Sequence, residues 1–90
     1  MKQLYCFDNR DSKVNNISID ICKELKNQEN KWGIQNHDPY KWMSILMEEV
    51  GEASKAILEQ NLENYKEELI QVAAVAISAI DSLERNELFV

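Results

Sequence analysis

Apolar residues recur at steps of three and four along most of the chain, which is helical spacing. Val14, Ile17, Ile21 and Leu25 form the first stripe. It predicts an amphipathic helix capped by Asn15 or Asn16 and running to about Gln28. Trp32-Gly33 closes it, because glycine tolerates the left-handed conformation of a helix stop. Residues 1–13 show no sustained period and are expected to form an irregular arm or a short strand, which sets the arm at 1–14 and the folded domain at 15–90. His37-Asp38-Pro39 marks the next start, with Asp38 able to cap free backbone N–H groups and Pro39 suited to the first helical position. This second helix is expected to reach about Gln60, with Asn61 as a turn residue and a third helix from about Leu62 to Arg85. The predicted fold class is all-α: a three-helix chain whose second and third helices form an antiparallel hairpin, their link being too short for anything else.

Within the third helix, Leu69 to Ile80 is apolar on nearly every side, interrupted only by Gln71 and Ser78. A helix that is hydrophobic all round must be covered all round, and two other helices cannot easily do that in a chain of 90 residues. The expectation is a homo-oligomer, a dimer or a tetramer, in which this helix packs against its own copy to complete a bundle. The same stretch falls short of the roughly 20 residues that span a bilayer, so no membrane partner is expected. No basic start followed by an apolar run stands near Met1, so no signal peptide is expected either.

Charge narrows the functional classes. The chain carries a formal charge of −6, and the imbalance is concentrated in its second half. Residues 46–90 hold only Lys55, Lys66 and Arg85 against ten acidic residues. Nucleic-acid binding needs a cationic face, so no nucleic-acid partner is expected. An acidic half suits cations, or phosphates reached through a bridging metal. Cys6 and Cys22 have no metal-motif spacing and read as free thiols in a reducing cytoplasm.

On a helical wheel, the apolar arc of the second helix contains Trp42, Ile45, Leu46, Val50, Ala53, Ala56 and Ile57. Glu49 falls inside that arc and Glu52 on its edge, while Glu48 leans toward the polar side with Lys55. On the third helix Glu68 is flanked by Val75 and Ala79, with Gln71 beside Ser78 and Ser82 and Glu67 further out. Burying a lone carboxylate costs several kcal/mol even after relaxation. Protonation, pairing with Lys or Arg, or a bound cation can offset that cost. Basic partners are scarce here, and Lys55 projects away from Glu49, so a metal is the most economical answer.

The hairpin register supports this reading. Counted from a turn near residues 60–61, Glu52 and Glu68 lie at matching depth, and Glu49 and Gln71 lie one helical turn further away. Four oxygen-bearing side chains converge, an i, i+3 pair from each helix. Hard oxygen ligands without Cys or His favour Mg²⁺, with Mn²⁺ as an alternative. The competing reading is a solvated acidic face, the usual fate of Glu-Glu pairs on helices. A ferritin-like di-iron site is disfavoured because it needs Glu-x-x-His on helices, and His37, the only histidine, precedes the proline.

Glu48-Glu49-Val50-Gly51-Glu52 followed by Glu67-Glu68-Leu69-Ile70-Gln71 resembles the MazG-like all-α nucleoside-triphosphate pyrophosphohydrolases, whose signature is EExxE on one helix and ExxD on the next. The stretch WGIQNHDPYKWMSILMEEVGEASKA is similar to the short, phage-type branch of that family, and the likeness covers roughly residues 15–85. The resemblance implies an enzyme that cleaves an NTP or dNTP between the α- and β-phosphates, giving a monophosphate and pyrophosphate, and that works as a dimer or tetramer. It implies Glu49, Glu52 and Glu68 as Mg²⁺ ligands with Gln71 at the fourth position, and Glu48 either supporting the ligands from behind or orienting the attacking water. The family's final Asp is here Gln71, an amide that can coordinate a hard cation but brings no charge, so weaker metal binding is expected.

Trp32, Gln35 and His37 precede the second helix, the region that borders the nucleotide pocket in such enzymes. Trp32 could stack on a base and Gln35 could bond to its edge, whereas Trp32 and Trp42 are alternatively core residues and His37 a residue of the helix start. Lys31, Lys41, Lys55, Lys66 and Arg85 are candidates for phosphate contacts or else ordinary solvated charges; Lys55 stands with Trp32, Gln35 and His37 as the candidate substrate-binding set. Two other classes compete with the enzyme. One is a non-catalytic helical protein-interaction module that keeps the fold, which Gln71 favours. The other is a coiled-coil assembly protein, which the short heptad runs disfavour.

Overall fold

The computed structural model describes residues 8–86, which form three α-helices and no strand: α1 (Asp8–Trp32), α2 (Pro39–Leu58) and α3 (Leu62–Arg85). The helix boundaries follow from local chemistry. The Gly33 amide donates to the Glu29 carbonyl at 2.8 Å while Gly33 turns to φ +75°, which stops α1 as glycine permits. Asp38 caps α2, its Oδ1 accepting from the Lys41 amide at 2.9 Å, and Pro39 opens the helix. Asn61 does more than turn the chain: its Oδ1 accepts from the Asn64 amide at 3.1 Å and caps α3.

Two boundaries differ from expectation. Residues 8–14, expected to belong to an irregular arm, are the first two turns of α1. Only Val14 among them is apolar, so there is no period to read; yet no Gly or Pro interrupts the segment, and Asp11 lies near the positive end of the helix dipole. Asn15 and Asn16 therefore lie inside α1 rather than capping it. The rest of the expected arm, residues 1–7, lies outside the described residues. The second difference is at α2, which stops at Leu58, two residues before the expected end, because Gln60 adopts φ 59° and its amide turns back to the Ile57 carbonyl at 3.0 Å.

Packing is uneven. α2 packs on α3, and α1 packs on α3 but not on α2. The core is small: Trp42, Ala53 and Ala56 of α2 meet Ala74 and Val75 of α3. The small side chains Ala53, Ala56 and Ala74 let the two helices approach closely, with Trp42 covering one end of the contact. Much apolar surface is left outside, including Met43, Met47, Val50 and Ile57 on α2 and Leu69, Ile77, Ile80 and Leu83 on α3. Ile80 is 57% exposed and Met47 56%, far from the burial such residues reach in a closed core. The radius of gyration, 14.9 Å, also exceeds the ~12 Å of a compact domain of this size. No helix among the described residues is long and apolar enough to cross a membrane.

Candidate functional site

Glu49 and Glu68 are brought together. Both are half-buried, one on each of the two helices that pack most extensively. Burial raises the Glu49 carboxyl above its ordinary 4.5, and the negative charges of Glu68, Glu52 and Glu48 push it the same way. Glu68 acts on it most strongly of the three, so these two carboxyl groups are close neighbours. Among the described residues, neither Glu49 nor Glu68 is ion-paired to Lys or Arg. Glu49 thus neighbours Glu68, and it shares a cleft with Gln71, the residue matched to it in the sequence register.

The remaining acidic positions stand at different distances from this pair. Glu48 and Glu52 are exposed, yet both act on Glu49 electrostatically. Among the described residues, no three His, Cys, Asp or Glu side chains are gathered into a metal centre. The donor chemistry nonetheless fits a hard divalent ion. Two neighbouring carboxyl groups without a Lys or Arg partner, and two more within electrostatic range, all offer oxygen.

A cleft of ≈ 240 Å³ opens between α1, α2 and α3 beside the pair. Glu49 and Gln71 line one side of it, and Trp32 and Gln35 the other. Trp32 is 67% exposed, so of its two readings the structure bears out surface over core; Trp42, at 4%, is core. The Trp42 indole Nε1–H is buried and finds no acceptor, at a cost of ~1–3 kcal/mol.

Two substrate candidates are not brought to this cleft. His37 packs its ring edgewise on Trp42, with centroids 5.0 Å apart at 62°, and lines a separate apolar cavity with Met43, Ala79 and Ile80. Its backbone carbonyl is held by the Ser82 hydroxyl at 3.2 Å, one of the contacts that fix this segment against α3. Lys55 is exposed in the last turn of α2, on a side of the helix away from Glu49, where a positive charge complements the dipole. Among the cations considered for phosphate, Lys31 lines the cleft, whereas Arg85 is engaged by Asp81 at 2.9 Å.

The sequence reading missed the α1 wall. Glu24, Asn27 and Gln28 line the cleft, with Gln28 Nε2 donating to Glu24 Oε2 at 3.0 Å. The signal was present: Gln28 sits three residues after Leu25 and seven after Ile21, a polar residue continuing the apolar stripe of α1. Cys22 is a free, exposed thiol, and Cys6 lies outside the described residues. No protein-family model, curated protein or solved structure matches the chain.

Proposed function

We propose that this protein is a Mg²⁺-dependent nucleotide pyrophosphohydrolase of the MazG-like kind, cleaving a (d)NTP between the α- and β-phosphates to a (d)NMP and pyrophosphate. The observation that carries the reading is the neighbouring pair Glu49 and Glu68, half-buried and without a basic partner, of which Glu49 lines a cleft together with Gln71, Trp32 and Gln35. In this reading α2 and α3 run antiparallel. The sharing of one cavity by Trp42 and Met43, near the start of α2, with Ala79 and Leu83, near the end of α3, supports that.

Glu49, Glu52 and Glu68, with the amide oxygen of Gln71, would hold the ion. Bound there, Mg²⁺ (or Mn²⁺) would neutralise phosphate charge and stabilise the negative charge that builds up in the transition state. Glu48, exposed on the flank of the pair, orients the attacking water and accepts its proton. Trp32 offers an aromatic face to a base, and Gln35 an amide to its edge. Lys31, in the same cleft, supplies the positive charge for phosphate that the sequence set assigned to Lys55. An acidic cleft repels a bare triphosphate, so the substrate arrives as its metal complex.

The exposed apolar faces of α2 and α3 support a homodimer or tetramer in which Ile80 and Met47 become buried. Free Cys22 accords with a cytoplasmic setting. A second reading, a non-catalytic helical module that docks a different protein on that apolar face, draws on the same exposure and on the uncharged Gln71. Incubation with each (d)NTP, with and without Mg²⁺, separates the two. Pyrophosphate release by the wild type, lost in Glu49→Gln and Glu68→Gln, supports the enzyme. No release by a folded, oligomeric wild type supports the module.

A further inference from the structure

The end of α3 is tied to the segment that carries Gln35, one of the residues lining the cleft. Ser82 is fully buried, and its hydroxyl lies 2.9 Å from Asn36 Oδ1 and 3.2 Å from the His37 carbonyl. One hydroxyl proton faces two acceptors, so the contact is a shared one. One turn further on, Arg85 Nη2 donates to the Gln35 carbonyl at 3.2 Å while its Nε donates to Asp81 at 2.9 Å. Three successive residues, Gln35, Asn36 and His37, are thus held by two side chains that α3 presents on one side. The segment needs such ties. It has no helical hydrogen bonding of its own between Gly33, at φ +75°, and the cap at Asp38, and α1 does not pack on α2. Neither Glu49 nor Glu68 belongs to it.

We propose that Ser82 and Arg85 are positioning residues that fix the 33–38 segment against α3 and so set where Gln35 stands in the cleft that Glu49 lines. The inference rests on the nucleotide reading of the cleft. It separates the molecule into a metal-holding half, built on α2 and α3, and a substrate wall whose placement depends on the last turns of α3. Loosening the wall weakens nucleotide binding without altering the metal ligands.

The test compares Ser82→Ala and Arg85→Ala with the wild type in steady-state pyrophosphate release, alongside Mn²⁺ titration followed by electron paramagnetic resonance. Arg85 is exposed, so its variant folds even if the buried Ser82 change does not. Each variant raises KM about tenfold, the scale of one lost hydrogen bond, while kcat and Mn²⁺ affinity stay within about twofold. Arg85→Lys, which keeps a donor, recovers part of the KM loss. Unchanged KM in the alanine variants of an active protein overturns the positioning role alone, and so does a fall in kcat with KM unmoved. Absence of release by the wild type overturns the nucleotide reading and this inference with it.

Discussion

Glu49→Gln is the perturbation whose sign separates a metal site from an ordinary acidic surface. Gln keeps the shape and hydrogen-bonding reach of Glu49 and removes its charge. Two unit charges 4 Å apart near a protein surface repel by ~4 kcal/mol. Protonating a carboxyl at pH 7 from its ordinary 4.5 costs ~3 kcal/mol, which caps the penalty that Glu49 can impose. Because both carboxylates are only half-buried, solvent screening reduces the expected effect to about 1 kcal/mol. The metal-free variant should therefore be more stable than the metal-free wild type by about that amount at pH 7, in urea unfolding at fixed protein concentration.

The pH dependence has a definite sign. The folded-state pKa of Glu49 is raised, so its stability contribution is fully present below 4.5 and is lost as pH rises through the raised value. Wild type and variant should therefore converge in acid and diverge toward neutrality. Added Mg²⁺ reverses the order, since an ion at 100 times its dissociation constant stabilises the folded state by ~2.7 kcal/mol and the variant has lost a ligand. A metal-free variant less stable than wild type, combined with no response of wild type to Mg²⁺, would refute the reasoning.

Other consequences are sharper in a single measurement. Asp38→Ala removes the cap of α2 and should cost ~1 kcal/mol, seen as a Tm lower by ~4–8 °C. Gln71→Asp adds a charged ligand beside Glu49 and should tighten Mn²⁺ binding about tenfold while destabilising the metal-free protein. Ile80→Glu places a charge in the exposed apolar face and should convert an oligomer to monomers in sedimentation velocity; an unaltered sedimentation coefficient would show that this face is not the interface.

What the sequence disclosed follows from where its signals are strong. α3 occupies Leu62–Arg85 as expected, because a mostly apolar run is bounded by Asn61 at its start and Asn86 at its end. The start of α2 was equally legible, since Asp38 and Pro39 each act within one turn of their own position. The start of α1 was not, because periodicity is silent where six of seven residues are polar. The wheel placed Glu49 and Glu68 on buried arcs, and the structure makes both half-buried neighbours, with Glu49 and Gln71 lining one cleft. His37 is a candidate through the family likeness of the entry to α2, and Lys55 through its positive charge. A backbone carbonyl held by Ser82 and a helix phase pointing the other way decided otherwise, and both are properties of the folded chain. The α1 wall was missed because Glu24 and Gln28 look like ordinary surface polar residues until α1 is laid against α3.

Everything above depends on whether opposing carboxylates on α2 and α3 share a divalent cation. Titration of Mn²⁺ into the wild type and into Glu68→Gln, with free ion read by electron paramagnetic resonance, measures that sharing without requiring turnover. The account predicts that the wild type depletes the free signal with saturable stoichiometry, that Mg²⁺ competes, and that Glu68→Gln loses most of the binding. Equal depletion by both proteins, or none by the wild type, would contradict it.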